Sequence, residues 1–315
     1  MKHGMLLIAK QSGMTSHDVV AKARRILKTK EIGHAGTLDP MAEGLMLLLI
    51  GEGTKLSQFL LEKDKRYRVQ FRLGETSDTL DSTGFVTASN VAVPAIEKIK
   101  QAILEIQGEM NLSIPRFSAK QVDGQRLYDL ARQGVEFTAP KKIMKFWNIE
   151  IHKLTATGGD VSLSCSKGSF IRSWVSELGD RLGCGALMSG LVRTHSHPYN
   201  LESATTLDEL AENENQTLSD KKAGSFVSLS EMLPEVKRVL VSGQDEKLLM
   251  NGLISHQLRS TLITRFQPDQ DEFIQIQSKS NHNLIAIIGL AKEKGFQIRR
   301  VMKPETAASE NQIEE

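Results

Sequence analysis

A loop-forming stretch that runs directly into an apolar segment constrains the fold of this chain more than any other feature. Residues 33–44 read GHAGTLDPMAEG, and LMLLLI follows at 45–50. The glycines and the proline specify a tight turn with unusual backbone angles, and Pro40 favours an extended backbone at Asp39. An Asp before Pro is most often a plain turn residue. A polar loop beside a buried strand nevertheless suits a carboxylate at the floor of a cleft.

Length and composition are those of a soluble globular protein. The chain has 315 residues, of which 40% are hydrophobic and 25% charged, and this length favours about two domains. The apolar run at 45–50 is too short to span a membrane, and the one at 5–9 is too short for a signal peptide. Cys165 and Cys184 lack metal-ligand spacing and predict free thiols in a reducing compartment. We therefore expect a cytoplasmic protein with no membrane segment.

Charge is distributed in blocks along the chain. Residues 1–200 carry 27 basic and 20 acidic side chains, and residues 236–303 carry 11 and 6. Between them, residues 201–235 carry 2 basic and 8 acidic side chains. Two basic blocks around an acidic segment suit a polyanionic partner that contacts both blocks. Ordinary surface variation would explain the same pattern, so charge alone does not choose between these interpretations.

Hydrophobic periodicity predicts a mixture of helices and strands. Residues 17–28 repeat apolar side chains at helical spacing. Residues 65–73 alternate strictly, which predicts a half-buried strand with arginines on its outer face. Strands are also expected at 143–153 and 160–166. The acidic loop 73–84 lacks the full ligand set of a calcium site. The chain also has no phosphate-binding glycine loop, so we expect no metal and no cofactor.

The C-terminal third divides into three parts. Residues 206–235 are acidic and are expected to form a connector that begins with a capped helix. Residues 236–304 are expected to form a small β-rich domain of short strands and turns. Residues 305–315 have the composition of a disordered tail. Because the candidate chemical residues precede residue 200, we expect the part before residue 235 to fold independently.

Several segments together resemble the TruB-type tRNA pseudouridine synthases. The family signature G-H-x-G-x-L-D-P-x-A-x-G, followed by an apolar strand, matches residues 33–50. The segment 65–67 resembles the family's K-x-Y motif, 167–172 resembles K-G-[ST]-[YF]-I-R, and 187–194 resembles x-x-L-R-R-T. Four residues depart from the family patterns: Gln11 replaces a proline, Phe117 replaces a tyrosine, Val192 replaces an arginine, and Phe170 stands where many members have tyrosine.

The resemblance implies a fold and a division into domains. The expected class is α+β, a pseudouridine synthase fold whose central sheet is mixed and mainly antiparallel. The catalytic domain would span residues 1–205. The β-rich block at 236–304 would be a PUA-like RNA-binding domain.

The resemblance also assigns site residues. Asp39 would be the catalytic nucleophile, either attacking the ribose carbon or forming a glycal-type intermediate. Arg172 would pair with Asp39 and lower its pKa by ~1–3 units, and Tyr67 would lie against the target base. Four further residues are expected to bind the substrate: His34, Phe170, Leu191 and Lys10. His34 would fill the gap left by extruded nucleotides.

The activity implied is isomerisation of the T-loop uridine, position 55 of tRNA, to pseudouridine. The reaction needs no cofactor, and we expect a monomer that acts without an obligate protein partner. One alternative is an RNA-guided synthase that modifies ribosomal RNA within a multi-protein complex. Another is an RNA-binding or RNA-folding protein without catalytic activity, since fold alone does not establish activity.

Overall fold

The computed structural model describes most of the chain. The described residues are 3–118, 120–122, 125–133, 137–212, 225–291 and 293–303. The tail at 305–315, expected to be disordered, lies outside them. Among the described residues, no helix combines the length and the apolar character needed to cross a membrane.

Eighteen strands and eight α-helices follow one another along these residues. In chain order the strands are β1 Gly4–Lys10, β2 Ile32–His34, β3 Glu43–Ile50, β4 Lys65–Leu73, β5 Glu75–Ser77, β6 Val86–Ala88, β7 Gly108–Ser113, β8 Gln121–Val122, β9 Gln125–Arg126, β10 Lys141–Thr155, β11 Gly158–Cys165, β12 Ala186–Ser196, β13 Tyr199–Asn200, β14 Phe226–Ser228, β15 Arg238–Val241, β16 Phe273–Ser278, β17 Leu284–Ala291 and β18 Gly295–Val301. The helices are α1 Ser16–Ile26, α2 Ser57–Leu61, α3 Ile96–Glu105, α4 Leu127–Arg132, α5 Ile171–Leu182, α6 Leu207–Glu212, α7 Gln244–Met250 and α8 His256–Arg265.

One large sheet forms the centre of the first domain. Its strand order is β14-β1-β3-β12-β4-β11-β10-β7, with β2 paired to β3 and β13 paired to β12. The β3–β12 contact is parallel, whereas the neighbouring pairs β1–β3 and β12–β4 are antiparallel. The expected mixed, mainly antiparallel sheet of an α+β fold is therefore confirmed.

The apolar run in β3 is buried on both faces. Its even-numbered side chains pack with α1 and α6 in a cluster that includes Met46, Leu48 and Val19. Its odd-numbered side chains, such as Leu47, pack into a second cluster on the opposite face. Alternate side chains of a strand point to opposite faces. A strand covered on both sides therefore needs an uninterrupted apolar run, which is what residues 45–50 provide.

Strand β4 has the predicted bounds and the predicted alternation. Val69, Phe71 and Leu73 are buried in a cluster that also contains Trp174 of α5. The arginines on the outer face are already paired with acidic side chains: Arg66–Glu150, Arg68–Asp160 and Arg72–Glu75. Each of the three arginines on this basic outer face is therefore ion-paired with an acidic side chain.

The expected acidic connector is folded at both ends. The predicted capping box is present, because Thr206 Oγ1 accepts from Glu209 N and the Glu209 carboxylate accepts from Thr206 N. Beyond the stretch 213–224, which lies outside the described residues, β14 pairs with β1 and extends the central sheet. Residues 225–228 thus belong to the first domain, which corrects the expectation that they form part of a connector.

The C-terminal block is a four-stranded sheet, β15-β16-β17-β18, with α7 and α8 beside it. Its apolar side chains Leu284, Ile287 and Met302 pack in the same buried cluster as Met5 and Leu47 of the first domain. Removing this block would expose that cluster to water, at a cost of ~25 cal/mol per Å² of apolar surface. The expectation that the preceding part folds independently is therefore not supported.

Candidate active site

A cavity of about 320 Å³ opens between β4, β12 and the first turn of α5. This volume falls within the range of small-molecule sites, about 300–1,000 Å³. Five of the seven predicted site residues line it: Asp39, Tyr67, Phe170, Arg172 and Leu191. These residues come from separate parts of the chain, so it is the sheet and α5 that bring them together.

Asp39 lies in the loop between β2 and β3, and backbone contacts hold that loop in place. The Ser16 hydroxyl accepts a hydrogen bond from Leu38 N at 2.9 Å and donates one to Leu38 O at 3.2 Å. Gly13 N donates to Pro40 O at 2.9 Å. The segment that leads into α1 therefore fixes the backbone on both sides of Asp39.

Two glycines of the loop signature are required by the close approach of β12. Gly36 has a φ of +107°, and a Cβ there would lie 3.3 Å from the Arg193 guanidinium. Gly44 has a φ of +103°, and a Cβ there would lie 2.4 Å from Arg193 O. A side chain at Gly44 would collide with the backbone of β12, so it would displace the loop that carries Asp39.

Arg172 pairs with Asp39 through two nitrogens, the pairing that the family resemblance implied. Its Nε lies 3.0 Å from Asp39 Oδ2, and Nη2 donates to Asp39 Oδ1 at 3.2 Å. Nη2 also donates to Phe117 O at 3.1 Å, and Nη1 donates to Thr79 O at 3.1 Å. The planar guanidinium therefore fixes the orientation of the carboxylate while its own position is fixed by the two carbonyls.

Asp81 is a second carboxylate at this arginine, and sequence reasoning missed its role. Its Oδ2 lies 3.6 Å from Arg172 Nη1. Its Oδ1 accepts hydrogen bonds from Thr79 Oγ1 at 2.8 Å and Thr83 N at 3.0 Å. The signal in the sequence was the acidic loop 73–84, whose clustered carboxylates do not by themselves indicate an arginine partner. One guanidinium thus lies between two carboxylates.

The pKa of Asp39 is raised, contrary to the sequence-based expectation. Burial is the largest cause, Arg172 opposes it, and the negative charge of Asp81 raises the pKa further. About 35% of the side-chain surface remains open toward the cavity, yet the surrounding protein still displaces enough water for burial to dominate. Arg172 therefore limits the upward shift and does not reverse it.

This environment predicts a pH effect for Asp81→Asn. If activity requires ionised Asp39, the rate falls as the pH drops through the raised pKa of that carboxyl. Removing the negative charge of Asp81 lowers this pKa, so the acid limb of the pH–rate profile should move to lower pH. Single-turnover rates measured over a pH series test this. Asp78→Asn is the matched control, because Asp78 is exposed and accepts from Phe85 N in the same loop. An acid limb that stays in place, or moves to higher pH, would contradict the assignment.

Tyr67 and Leu191 line the cavity from the adjacent strands β4 and β12. Tyr67 is half-buried, and burial raises the pKa of its phenol, while the nearby Arg193 lowers it. Leu191 is 8% exposed. Phe170, which immediately precedes α5, adds an aromatic ring to the lining. The cavity therefore offers flat apolar surfaces beside one ion-paired carboxylate.

Lys10 does not line the cavity, which corrects its expected role in substrate binding. It is 2% exposed, and its ammonium donates to Ala42 O at 2.6 Å, Gln11 O at 3.1 Å and Pro40 O at 3.2 Å. Burial lowers its pKa. Lys10 therefore holds the backbone of the Asp39 loop through hydrogen bonds to Pro40 O and Ala42 O. The replacement of proline by Gln11 does not remove the backbone carbonyl that accepts the third hydrogen bond.

His34 lies in β2, outside the cavity lining, with its ring edge-to-face against His17 at 5.9 Å between centroids. Burial lowers the pKa of His34, and the neighbouring His17 and Arg193 lower it further. Its imidazole is therefore mostly neutral at neutral pH. A neutral ring at this position can stack against a base.

Phe117 contacts Arg172 through its backbone and not through its ring. The Phe117 ring packs edge-to-face with Tyr128 at 6.3 Å, and it is the carbonyl of Phe117 that contacts Arg172. The family's tyrosine at that position is therefore not needed for the contact.

Within the described ranges, no group of three or more His, Cys, Asp or Glu side chains is arranged to hold a metal.

Comparison with known proteins identifies the family. Residues 24–171 match the N-terminal domain of the TruB family pseudouridylate synthases, and residues 172–241 match the tRNA pseudouridylate synthase B C-terminal domain. The chain is 48% identical over 302 residues to tRNA pseudouridine synthase B of Bdellovibrio bacteriovorus, covering 96% of this chain and 97% of that protein. It is 37% identical to the protein of the same name from Thermotoga maritima, covering 81% of each.

Solved structures show the same fold at much lower identity. A box H/ACA ribonucleoprotein bound to a substrate RNA containing 2′-deoxyuridine superposes with a TM-score of 0.68 at 21% identity. The match covers 96% of this chain and 86% of that one. This structural similarity shows the shared fold, whereas the family-model matches and the 48% identical relative show that the chain belongs to the TruB family of pseudouridine synthases.

Proposed function

We propose that this chain converts the T-loop uridine of tRNA, position 55, into pseudouridine. The observation that carries the proposal is the two-nitrogen ion pair between Arg172 and Asp39 in a cavity lined by Tyr67 and Leu191. Its curated relatives named tRNA pseudouridine synthase B support the choice of substrate.

The chemistry requires a nucleophile and a pocket that retains the detached base. The Asp39 carboxylate would act on the ribose, either at C1′ or by forming a glycal-type intermediate, as the bond from C1′ to uracil N1 breaks. Arg172 would hold the carboxylate in one orientation throughout. The base would then turn between Tyr67 and Leu191 until C5 faces C1′. Because the reaction is an isomerisation, no group is added and no electrons are exchanged.

The uridine must leave the RNA loop before it reaches Asp39. Extrusion of the uridine costs a few kcal/mol, and stacking of the base on an aromatic ring such as Tyr67 contributes about 1–3 kcal/mol in the opposite direction. His34 lies near the Asp39 loop with a mostly neutral ring, so it would take the space that the extruded nucleotide leaves. The two aromatic contacts would together favour the extruded state.

One assay tests the proposed function against its alternatives. Purified protein is incubated with an unmodified tRNA transcript, without cofactor or other protein, and pseudouridine is mapped chemically. We expect modification at the T-loop uridine alone. Dependence on a guide RNA would favour the RNA-guided alternative. Binding without product would favour an RNA-binding or RNA-folding protein.

The proposed role of His34 predicts different losses on two substrates. His34→Ala should reduce activity on folded tRNA more than on a short, flexible oligonucleotide containing the target, because stacking must be replaced only in the folded loop. Single-turnover rates on both substrates test this. His152→Ala controls for removal of a histidine, since His152 is exposed on β10 and hydrogen-bonds to Ser162 of the neighbouring strand. Equal losses on both substrates would indicate a purely structural role.

We also propose that the C-terminal β domain binds RNA, as the PUA-like assignment implies. Its excess of basic over acidic residues supports this proposal. So does its packing against the first domain, because a fixed position allows one RNA to contact both. Truncation would expose the shared apolar cluster, so the test must use the whole chain.

Neutralising exposed basic residues of this domain should weaken tRNA binding. Lys279→Gln combined with Arg299→Gln removes two exposed charges. Each lost phosphate contact should flatten the log–log salt dependence of binding by roughly 0.7–0.9. The matched control, Lys98→Gln with Lys100→Gln, removes two exposed lysines of α3 in the first domain. Affinities measured at several salt concentrations test this prediction. Equal slopes of the salt dependence for the two double variants would exclude a specific contribution from Lys279 and Arg299.

We further propose that the chain acts as a monomer in the cytoplasm, without the partner proteins of box H/ACA particles. The compact arrangement of catalytic cavity and C-terminal domain in one chain supports this. Sedimentation of the purified protein with and without tRNA tests the oligomeric state. Activity of the isolated chain in the assay above tests the need for a partner.

A further inference from the structure

Ser118 brings a buried hydroxyl group to the catalytic cavity. The residue is 5% exposed, and it lines the same cavity as Asp39 and Tyr67. Within the part of the chain that the structure describes, Ser118 Oγ has no hydrogen-bond partner. A buried hydroxyl without a partner is unfavourable, because it has given up its hydrogen bonds to water and received none in exchange. This hydroxyl is therefore placed to bind a polar atom of a molecule that enters the cavity.

Backbone hydrogen bonds fix the position of Ser118 in the cavity wall. Its own carbonyl accepts from Tyr128 N of α4 at 3.0 Å. The carbonyl of the preceding residue, Phe117, accepts from Arg172 Nη2 at 3.1 Å. The same nitrogen of Arg172 donates to Asp39 Oδ1 at 3.2 Å. Ser118 is therefore held at the end of the cavity where the Asp39 carboxylate lies.

Several other polar side chains of the cavity wall already have partners within the chain. The Lys65 ammonium donates to three backbone carbonyls, and the Arg193 guanidinium donates to three others. The hydroxyls of Ser166 and Ser169 pair with each other at 3.1 Å. A nucleoside in the cavity would therefore find in Ser118 a hydrogen-bonding group that is both fixed in position and not yet used.

Breaking the bond between the base and the ribose places negative charge on the base. The electron pair of the N1–C1′ bond stays with uracil, while Asp39 either bonds to C1′ or takes a proton from C2′. The charge of the uracil anion is shared between N1 and the two carbonyl oxygens, O2 and O4. O2 is attached to the ring atom next to N1, so it lies at the end of the base nearest the ribose and Asp39. A hydrogen-bond donor at this end of the cavity would therefore contact O2.

We propose that Ser118 is a catalytic residue that donates a hydrogen bond to O2 of the target uracil and stabilises the uracil anion as it leaves the ribose. The proposal rests on the proposed function. The O–H bond of Ser118 stays intact throughout, so this contact transfers no proton. A hydrogen bond to a charged acceptor is stronger than one to a neutral acceptor. The contact therefore stabilises the transition state more than the bound substrate, which raises the rate of bond cleavage.

A change of the substrate at O2 alone tests this contact. Single-turnover rates of the unaltered chain and of Ser118→Ala are measured on tRNA that carries uridine or 2-thiouridine at the target. We expect Ser118→Ala to lower the rate on uridine by about 10-fold, the size of one hydrogen bond to a partly charged acceptor. The loss on 2-thiouridine should be much smaller, because sulfur accepts hydrogen bonds only weakly. The intrinsic effect of sulfur on bond cleavage is common to both chains and cancels in this comparison.

Two controls make the result specific to Ser118 and to O2. On tRNA with 4-thiouridine at the target, Ser118→Ala should cost as much as it does on uridine. Ser166→Ala is the matched variant, because Ser166 lines the same cavity but its hydroxyl is already paired. Its effect should be the same on uridine and on 2-thiouridine. Equal losses for Ser118→Ala on uridine and 2-thiouridine would overturn the proposal, and so would a loss that disappears with 4-thiouridine.

The melting temperature of Ser118→Ala distinguishes this role from a structural one. Because no group of the described chain pairs with the hydroxyl, its removal should leave the melting temperature unchanged or raise it. A lower melting temperature would show that the fold itself uses the hydroxyl, which would overturn the proposal. Failure of the proposed function is distinguishable, because the unaltered chain would then form no pseudouridine on any of these substrates.

Discussion

Replacing Asp39 with Asn is expected to abolish pseudouridine formation while leaving tRNA binding intact. Asn matches the shape of Asp but lacks the anionic oxygen that attacks the ribose. Loss of a catalytic nucleophile typically reduces turnover by at least about 10⁴-fold. Single-turnover assays with chemical mapping measure product, and equilibrium titration measures binding. Asp81, the other carboxylate beside Arg172, is 4% exposed and hydrogen-bonded to Thr79 and Thr83, so it is poorly placed to replace Asp39.

The same substitution should not destabilise the protein. A raised pKa in the folded state means that the ionised Asp39 is disfavoured by folding at neutral pH, and Asn removes that charge. The melting temperature should therefore remain the same or increase, as is common where a site sacrifices stability for activity. Asp64→Asn, at an exposed position before β4, is the control. Full product formation by Asp39→Asn would refute the nucleophile assignment. Loss of folding would show that the carboxylate is needed structurally.

Replacing Arg172 with Lys should produce the second largest loss, although the charge is kept. The guanidinium spans Asp39, Asp81 and the carbonyls of Thr79 and Phe117. A single ammonium nitrogen cannot contact all four. Asp39 would lose the two-nitrogen contact that orients it, and the two carboxylates would repel each other more strongly. We expect a fall of about 10²–10³-fold in the single-turnover rate, the size found for removal of one well-placed donor.

Helix α5 provides a matched control for this substitution. Arg181 lies in the last turn of the same helix and pairs with Glu177 at 2.8 Å. Its side chain is 41% exposed, compared with 6% for Arg172. Arg181→Lys should therefore be nearly neutral, because exposed ion pairs contribute about 0–1 kcal/mol. Equal rates for Arg172→Lys and Arg181→Lys would show that the planar contact with Asp39 is not needed for catalysis.

Much of the local structure could be predicted from the sequence. The loop around Asp39 and the strand after it follow from turn residues beside an apolar run, and the bounds of β4 follow from strict alternation. These predictions succeed because backbone conformation and side-chain direction depend mainly on near neighbours. The Arg172–Asp39 pair was predicted by family resemblance, since neither residue indicates the other by spacing.

The role of Lys10 could not be predicted in the same way. Its position at the start of a family-like loop suggested contact with the substrate. In the folded chain its ammonium is enclosed by three backbone carbonyls of neighbouring loops. A sequence does not show which carbonyls will lie within reach of a lysine, because that depends on how distant loops pack.

Only the tertiary structure determined the electrostatics of the site and the packing of the two domains into one shared apolar cluster. Asp81 and Arg172 meet beside Asp39 only after β4, β12 and α5 have assembled. Desolvation depends on every atom packed around a group, so the upward shift in the pKa of Asp39 has no counterpart in the sequence. The alternating side chains of β3 are all apolar, but only packing determines that one face meets α1 and the other meets the C-terminal domain.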